Sequence, residues 1–146
     1  MKTALLSRVP VWEVKVAQIT SRYKPLDQWG VGKITEAEIQ TAVRGKRFDF
    51  RVHDTLPDDW PKRLAKRYHI ERVACLVVRR DNAPIEIDVG IPALNYTHED
   101  DLIIIDGHHR LAAAMIRGDQ AIQVTYGGQE SEFKRLFPDA RKVSAA

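Results

Sequence analysis

Cysteine is almost missing. Cys75 is the single one in 146 residues, so an intramolecular disulfide framework is excluded. It lies in the apolar run "VACLVV", a setting for a buried, inert thiol rather than a nucleophile. No apolar stretch approaches the ~20 residues of a membrane-spanning helix. The opening "MKTALLSRVPVWEV" breaks its short apolar patch at Arg8 and Pro10 and lacks a secretory hydrophobic region, so a cytoplasmic protein is expected. Internal repeats and low-complexity segments are also absent. Aromatic residues are only 8%, and Trp12, Trp29 and Trp60 stand far apart. Trp60, beside Pro61, reads either as a platform for a nucleic-acid base or, more simply, as a hydrophobic staple at a helix start. What remains is an ordinary globular balance, 44% hydrophobic and 29% charged, in a length that suits one core. Residues 1–137 are expected to form one domain and 138–146 a polar tail.

Net charge is only +3, but it is unevenly spread. Lys and Arg crowd residues 44–80, among them Lys62, Arg63, Lys66, Arg67 and Arg72. Residues 81–106 contain no Lys or Arg, and Asp81, Glu86, Asp88, Glu99, Asp100, Asp101 and Asp106 fall there. The basic block can be a phosphate-binding face beside a carboxylate-lined or metal-binding edge. Equally, the two blocks can be solvated surfaces that neutralise each other.

Periodicity predicts an α/β or α+β fold in one layer arrangement, and α+β, a small mixed sheet with packed helices, is the class expected. A first strand is expected at 11–17, with Trp12, Val14 and Val16 on one face. A long loop follows, then a helix opened by a Thr35/Glu38 capping box and stopped by Gly45. "RFDFRVH" alternates as a short strand. "LPDDWPKRLAKRYHI" offers Asp58 or Asp59 as N-cap, with Pro61 in the first turn. "RVACLVVRR" reads as a central strand, "PIEIDV" as an edge or hairpin strand, and "DLIIID" as a fully buried strand. A helix through "GHHRLAAAMIRG", stopped at Gly118, should join that strand to one in "QAIQVTYGG" as a parallel crossover. "SEFKRLF" forms a last short helix.

The stretch "IIIDGHHRLAAA", residues 103–114, concentrates the chemistry. A strand ending at Asp106 delivers the chain to a helix start, where Asp106 can cap a first-turn amide. Gly107, lacking a Cβ, lets a ligand approach the backbone. The amides of Gly107, His108 and His109 have no intrahelical acceptor and lie at the positive end of the helix dipole, which suits an anion. Arg110 adds a planar fork that matches phosphate oxygens. His108 and His109 can donate to phosphate or carry protons near neutral pH. Adjacent helical residues point about 100° apart, so the two histidines make poor joint metal ligands. His98, Glu99, Asp100 and Asp101 suggest a Mg²⁺ loop, but a strand length separates them from the helix start, and a solvated loop is the better reading. No metal ligand is therefore assigned.

At these residues the chain resembles the ParB N-terminal (ParB-like nuclease)/sulfiredoxin superfamily, over roughly residues 11–127. The resemblance is strongest at "IIIDGHHRLAAAMIRGDQAIQV", similar to that family's strand, Gly-x-x-Arg phosphate motif, helix and closing strand. "LAKRYHIERVACLVVRR" resembles the helix and strand that precede the motif. The resemblance implies a small α+β fold binding nucleotide or DNA phosphates at the helix start. It places Gly107, His109 and Arg110 at phosphate-binding positions, with Asp106 and His108 at positions that vary between branches. Those branches include partition proteins that bind and hydrolyse CTP, DNA nucleases, ATP-dependent kinases of free serine, and sulfiredoxins. Sulfiredoxins need a cysteine where this chain has His108, so sulfinic-acid reduction is not implied.

Three functions follow as expectations. The first is a Mg²⁺-dependent nucleotide hydrolase or nuclease, with ATP, CTP or a DNA phosphodiester on Gly107, His108, His109 and Arg110, and with Asp106, His108 or His109 assisting proton transfer. The second is a non-catalytic DNA-binding accessory protein using Lys62, Arg63, Lys66 and Arg67. The third is a nucleotide-dependent kinase of a small molecule such as an amino acid. Expected partners are a nucleotide and DNA, without a membrane, and a homodimer is compatible with each.

Overall fold

The computed structural model describes residues 9–51 and 56–144. The first eight residues, on which the leader argument partly rested, and the end of "RFDFRVH" lie outside them. Five strands form one mixed sheet: β1 (Val11–Lys15), β2 (Ile85–Asp88), β3 (Ile103–Asp106), β4 (Ala121–Gly127) and β5 (Arg141–Ser144). Its order is β3-β2-β4-β1-β5. β2 and β4 run parallel, and every other neighbouring pair is antiparallel. The helices are α1 (Val16–Thr20), α2 (Glu36–Arg44), α3 (Lys62–Val78), α4 (His108–Arg117) and α5 (Glu130–Leu136). The architecture is thus α+β, a five-stranded mixed sheet with packed helices.

Two apolar clusters share α4. On the sheet side, Leu111 joins Ile85, Ile87, Ile104, Val124 and Phe133. On the helical side, Ala112, Ala113 and Ile116 join Ile39, Val73, Ala74 and Leu76 from α2 and α3. The alanine run explains how α4 serves both, because small side chains let neighbouring backbones approach. Ala112, Ala113 and Ala114 are all buried. Gly118 ends the helix in the left-handed region, φ 77°, as a C-terminal glycine should.

Some elements differ from the sequence reading for identifiable reasons. "RVACLVV", expected as a strand, is the second half of α3, a helix of 17 residues. No Gly or Pro interrupts it, and Val73, Ala74, Cys75 and Leu76 are buried in succession. A helix packed on several sides loses its polar stripe and looks like a buried strand. Its N-cap is Pro61, without a side-chain cap, so neither Asp58 nor Asp59 fills that role. Among the described residues, 48–51 form no strand. The first strand stops at Lys15, and Val16 opens α1 with its amide on the Gln120 carbonyl.

β2, expected as an edge or hairpin strand, pairs antiparallel with β3 and is covered on its other side by β4, while β3, expected to be fully buried, is an edge strand. Leu102 and Ile104 face the core, whereas Ile105 is 50% exposed. β3 and β4 do not form the expected parallel crossover, because β2 runs parallel to β4 and antiparallel to β3, so β3 and β4 point in opposite directions. Part of the expected tail is β5, whose Arg141 pairs with Glu13 of β1 at 3.0 Å. Charged side chains are typical of an edge strand and hid it in the sequence. The Thr35/Glu38 capping box forms as expected. No helix among the described residues is long and apolar enough to cross a membrane.

Candidate functional site

The strand-to-helix turn is built around Gly107. It takes φ 103°, in the left-handed region, and serves as N-cap of α4. A Cβ there would stand 2.5 Å from Ile85 Cγ2 and 3.2 Å from an Arg110 guanidinium nitrogen. Glycine is thus required by the backbone and by its contact with β2, besides any ligand. With Gly107 at the cap, Asp106 lies one residue outside it, and no side chain caps the helix. The expected Asp106 cap is replaced by a salt bridge to Arg110, 3.1 Å and four residues on. Arg110 also donates to the Ala83 carbonyl at 3.1 Å. Its side chain is only 15% exposed, so the guanidinium folds back beside Gly107 instead of reaching into solvent. Among the described residues, the amides of His108 and His109 find no protein acceptor.

The two histidines diverge, as neighbours on a helix must. His108 Nε2 lies 2.9 Å from the Tyr23 hydroxyl. Burial, reinforced by Asp100, pushes the Tyr23 phenol up to about 12, so it stays protonated across the physiological range. His109 Nε2 lies 2.9 Å from His69 Nδ1. Trp29 stacks on both imidazoles, with ring centroids 4.5 Å from His69 and 4.9 Å from His109. Tyr68 meets both edge-on.

This enclosure sets the charge of the cluster. Burial is the main cause that lowers His69 to about 4, with His108 adding to it. Burial also lowers His109 to about 3, assisted by His69, Arg72 and His108. His108 is lowered by burial, against an opposing effect of Asp106. At neutral pH the His69–His109 pair is therefore uncharged, with one imidazole donating and the other accepting. The expected titration near neutrality is displaced to acid because desolvation penalises the imidazolium.

These groups border a cleft of about 870 Å³. Its wall combines the α4 turn, from Asp106 to Arg110, with His69, Arg72 and Leu76 of α3, and with Trp29 and the half-exposed Ile105. Asp106, Gly107, His108, His109 and Arg110 are thus brought together. Lys62, Arg63, Lys66 and Arg67 are not part of that wall. Arg63, Lys66 and Arg67 instead border a separate groove of about 420 Å³ between α2 and α3. Lys66 is tied there to Glu38 at 3.2 Å, and Lys62 is exposed nearby.

Sequence reasoning passed over Tyr23 and His69, placed Arg72 only within the basic block, and gave Trp29 no role. His69, Arg72 and Leu76 stand at the i, i+3, i+7 spacing of one helix face. That signal was readable, but assigning a strand from Arg72 onward hid it. Tyr23 and Trp29 carry no local signal, because only the folded chain brings them to α4. Trp60, considered for base stacking, packs edge-on to Tyr68 with centroids 6.3 Å apart, and Arg51 lies over its ring.

The acidic loop is organised by other contacts. His98 pairs with Asp88 at 2.8 Å and Asp101 with Arg22 at 2.6 Å, while Glu99 and Asp100 are exposed. Among the described residues, no group of three or more His, Cys, Asp or Glu side chains is arranged to hold a metal ion.

No protein-family profile, curated protein or solved structure matches this chain.

Proposed function

We propose that the cleft at the start of α4 binds the phosphoryl group of a nucleotide or of DNA, and that the protein acts on it as a ParB-like nucleotide hydrolase or nuclease. One observation carries the reading. The unclaimed His108 and His109 amides share a single cleft with two guanidinium groups, Arg72 and Arg110, and with an uncharged histidine pair. Backbone donors at a helix start, reinforced by arginine, favour a phosphate over a neutral ligand. The resemblance of residues 103–124 to the Gly-x-x-Arg motif of the ParB/sulfiredoxin superfamily supports the same reading.

The chain's own groups have distinct parts in it. Arg110 is held by Asp106 and by the Ala83 carbonyl, so it is fixed before a ligand arrives and little side-chain entropy is lost on binding. Arg72 supplies the second positive charge from α3. His69 determines which tautomer His109 adopts, because the two rings share one hydrogen bond. If His69 Nδ1 donates, His109 Nδ1 carries its proton and can donate to a phosphoryl oxygen. In the opposite arrangement, His109 Nδ1 is an acceptor able to take a proton from a nucleophile. Mg²⁺ typically uses one or two carboxylates together with substrate phosphates. Asp106, 73% exposed at the cleft, and Asp81 suit that pattern, and the ion would offset developing negative charge.

Thermal-shift measurements with ATP, CTP, GTP and ADP, with and without Mg²⁺, test the reading. At a hundredfold excess over the dissociation constant, a ligand stabilises the native state by about 2.7 kcal/mol. Stabilisation by at least one nucleotide, abolished in Arg72→Ala, is expected. No shift with any nucleotide overturns nucleotide binding.

The separate α2–α3 groove favours a second reading, a DNA-binding accessory role. Its cations Arg63, Lys66 and Arg67 border a common surface and are suited to backbone phosphates. Salt-sensitive DNA binding that survives Arg72→Ala but is lost when Arg63 and Arg67 become Gln supports it.

A further inference from the structure

Tyr23 belongs to the sheet-side core, yet its polar end meets the start of α4. It shares a cluster with Leu102, Ile104 and Leu111, and its amide donates to the Ile19 carbonyl at 2.9 Å. The whole residue is 4% exposed. Its hydroxyl lies 2.9 Å from His108 Nε2, with the two rings tilted and their centroids 6.1 Å apart. The core thus delivers one firmly placed phenol to one imidazole of the candidate site.

The chemistry of the two groups sets the direction of that hydrogen bond. At neutral pH both are uncharged, the phenol protonated and the imidazole neutral, so a single hydrogen lies between oxygen and nitrogen. A phenol is a stronger acid than the N–H of a neutral imidazole, and the bare imidazole nitrogen is a stronger base than a phenol oxygen. The hydroxyl therefore donates and Nε2 accepts. The surroundings agree. Among the described residues, His108 Nε2 is the only acceptor within hydrogen-bond reach of the hydroxyl, and a buried O–H left without an acceptor is costly. The Ile104 amide, which also acts on the phenol oxygen, is a donor, so it occupies a lone pair and leaves the hydroxyl hydrogen to His108.

A neutral imidazole that accepts at Nε2 carries its proton on Nδ1. His108 Nδ1 makes no hydrogen bond to another described residue, and His108 borders the cleft. Its N–H adds a side-chain donor to the unclaimed amides of His108 and His109. With Nε2 engaged, the ring has no open basic nitrogen. The two neighbouring histidines therefore differ in kind. His108 is a donor, and proton transfer falls to His109, whose partner His69 can adopt either polarity.

We infer that Tyr23 is a positioning residue: its hydroxyl donates to His108 Nε2, which fixes His108 as the Nδ1–H tautomer and makes it a hydrogen-bond donor in the cleft rather than a base. The use of that donor on a phosphoryl oxygen rests on the phosphate-binding reading above. The tautomer does not.

Two-bond nitrogen–proton correlation spectra of the nitrogen-labelled protein, recorded at neutral pH without ligand, test it. His108 is assigned by the signals missing from His108→Asn. In the wild-type protein His108 should be protonated at Nδ1 and bare at Nε2. Tyr23→Phe keeps the ring in the core, so circular dichroism should match the wild type, while the His108 proton should redistribute towards Nε2. Inorganic tripolyphosphate then separates a positioning role from a merely structural one. Tyr23→Phe should weaken its binding about fivefold in the wild-type background, the worth of one hydrogen bond. In the His108→Asn background the same change should matter less than about twofold, because Tyr23 acts through His108. A wild-type His108 protonated at Nε2, or a tautomer unchanged in Tyr23→Phe, overturns the inference whether or not phosphate binds. Equal weakening in both backgrounds overturns the positioning role. If tripolyphosphate fails to bind the wild-type protein, the phosphate reading falls, and the spectra of the free protein still decide the tautomer.

Discussion

Replacing His69 by Gln should flatten the acid side of the stability profile. In the folded protein His69 is 7% exposed, and its burial lowers it from 6.5 to about 4. The unfolded chain returns it to about 6.5. Between those values the unfolded state binds more protons, so stability falls as the pH falls. The contribution is fully present above about 6.5 and is lost progressively down to about 4. For one such group, lowering the pH from 7 to 5 removes about 2 kcal/mol. His109 is lowered in the same direction, partly by His69 itself, so removing His69 relieves His109 and shrinks its acid loss as well. The informative quantity is therefore the difference between the two proteins. Asp119, Glu38 and Glu132 are held below their ordinary carboxylate values, so they titrate largely below this window. Urea unfolding at pH 7, 6 and 5 measures the effect. The wild-type protein should lose at least about 2 kcal/mol more than His69→Gln across that range, whatever their separation at pH 7. Parallel losses would refute the conclusion that the enclosed imidazoles are held neutral by desolvation.

Two further substitutions examine the turn and the stack. Gly107→Ala should cost about 2 kcal/mol or more, because it combines a left-handed backbone with a contact against Ile85. An unchanged melting temperature would contradict the geometry of the turn. Trp29→Ala removes the ring that covers both imidazoles, so the His69 and His109 pKa values should rise towards about 6.5. Imidazole resonances followed by NMR titration report this, and values left where they were would show that Trp29 is not part of the enclosure.

Legibility in the sequence followed how local each cause was. α4 was readable because its limits are local. Gly107 and Gly118 mark its ends, and the alanine run marks its packed face. The capping box of α2 is local in the same way. α3 was divided in two because its second half is surrounded by packing partners, and such burial erases the helical period. Strand order was harder still. "DLIIID" looks more central than "PIEIDV", yet β3 occupies the edge and β2 the interior. An edge strand that borders a cleft can keep an apolar residue such as Ile105 facing outward, and hydrophobicity alone does not distinguish that from burial. The site divides along the same line. Asp106 to Arg110 are contiguous and were found together. Arg72 and His69 required the correct helix, and Trp29 and Tyr23 required the tertiary fold. The protonation state of the histidines depends on all of these, so the motif alone misplaced it.

The central claim is that a phosphoryl group binds at the start of α4. Backbone amide NMR during titration with inorganic tripolyphosphate tests it most directly. The account predicts saturable shifts centred on the His108 and His109 amides, accompanied by the guanidinium Nε–H signals of Arg72 and Arg110. Shifts confined to Arg63, Lys66 and Arg67, or no saturable shift at all, would contradict it.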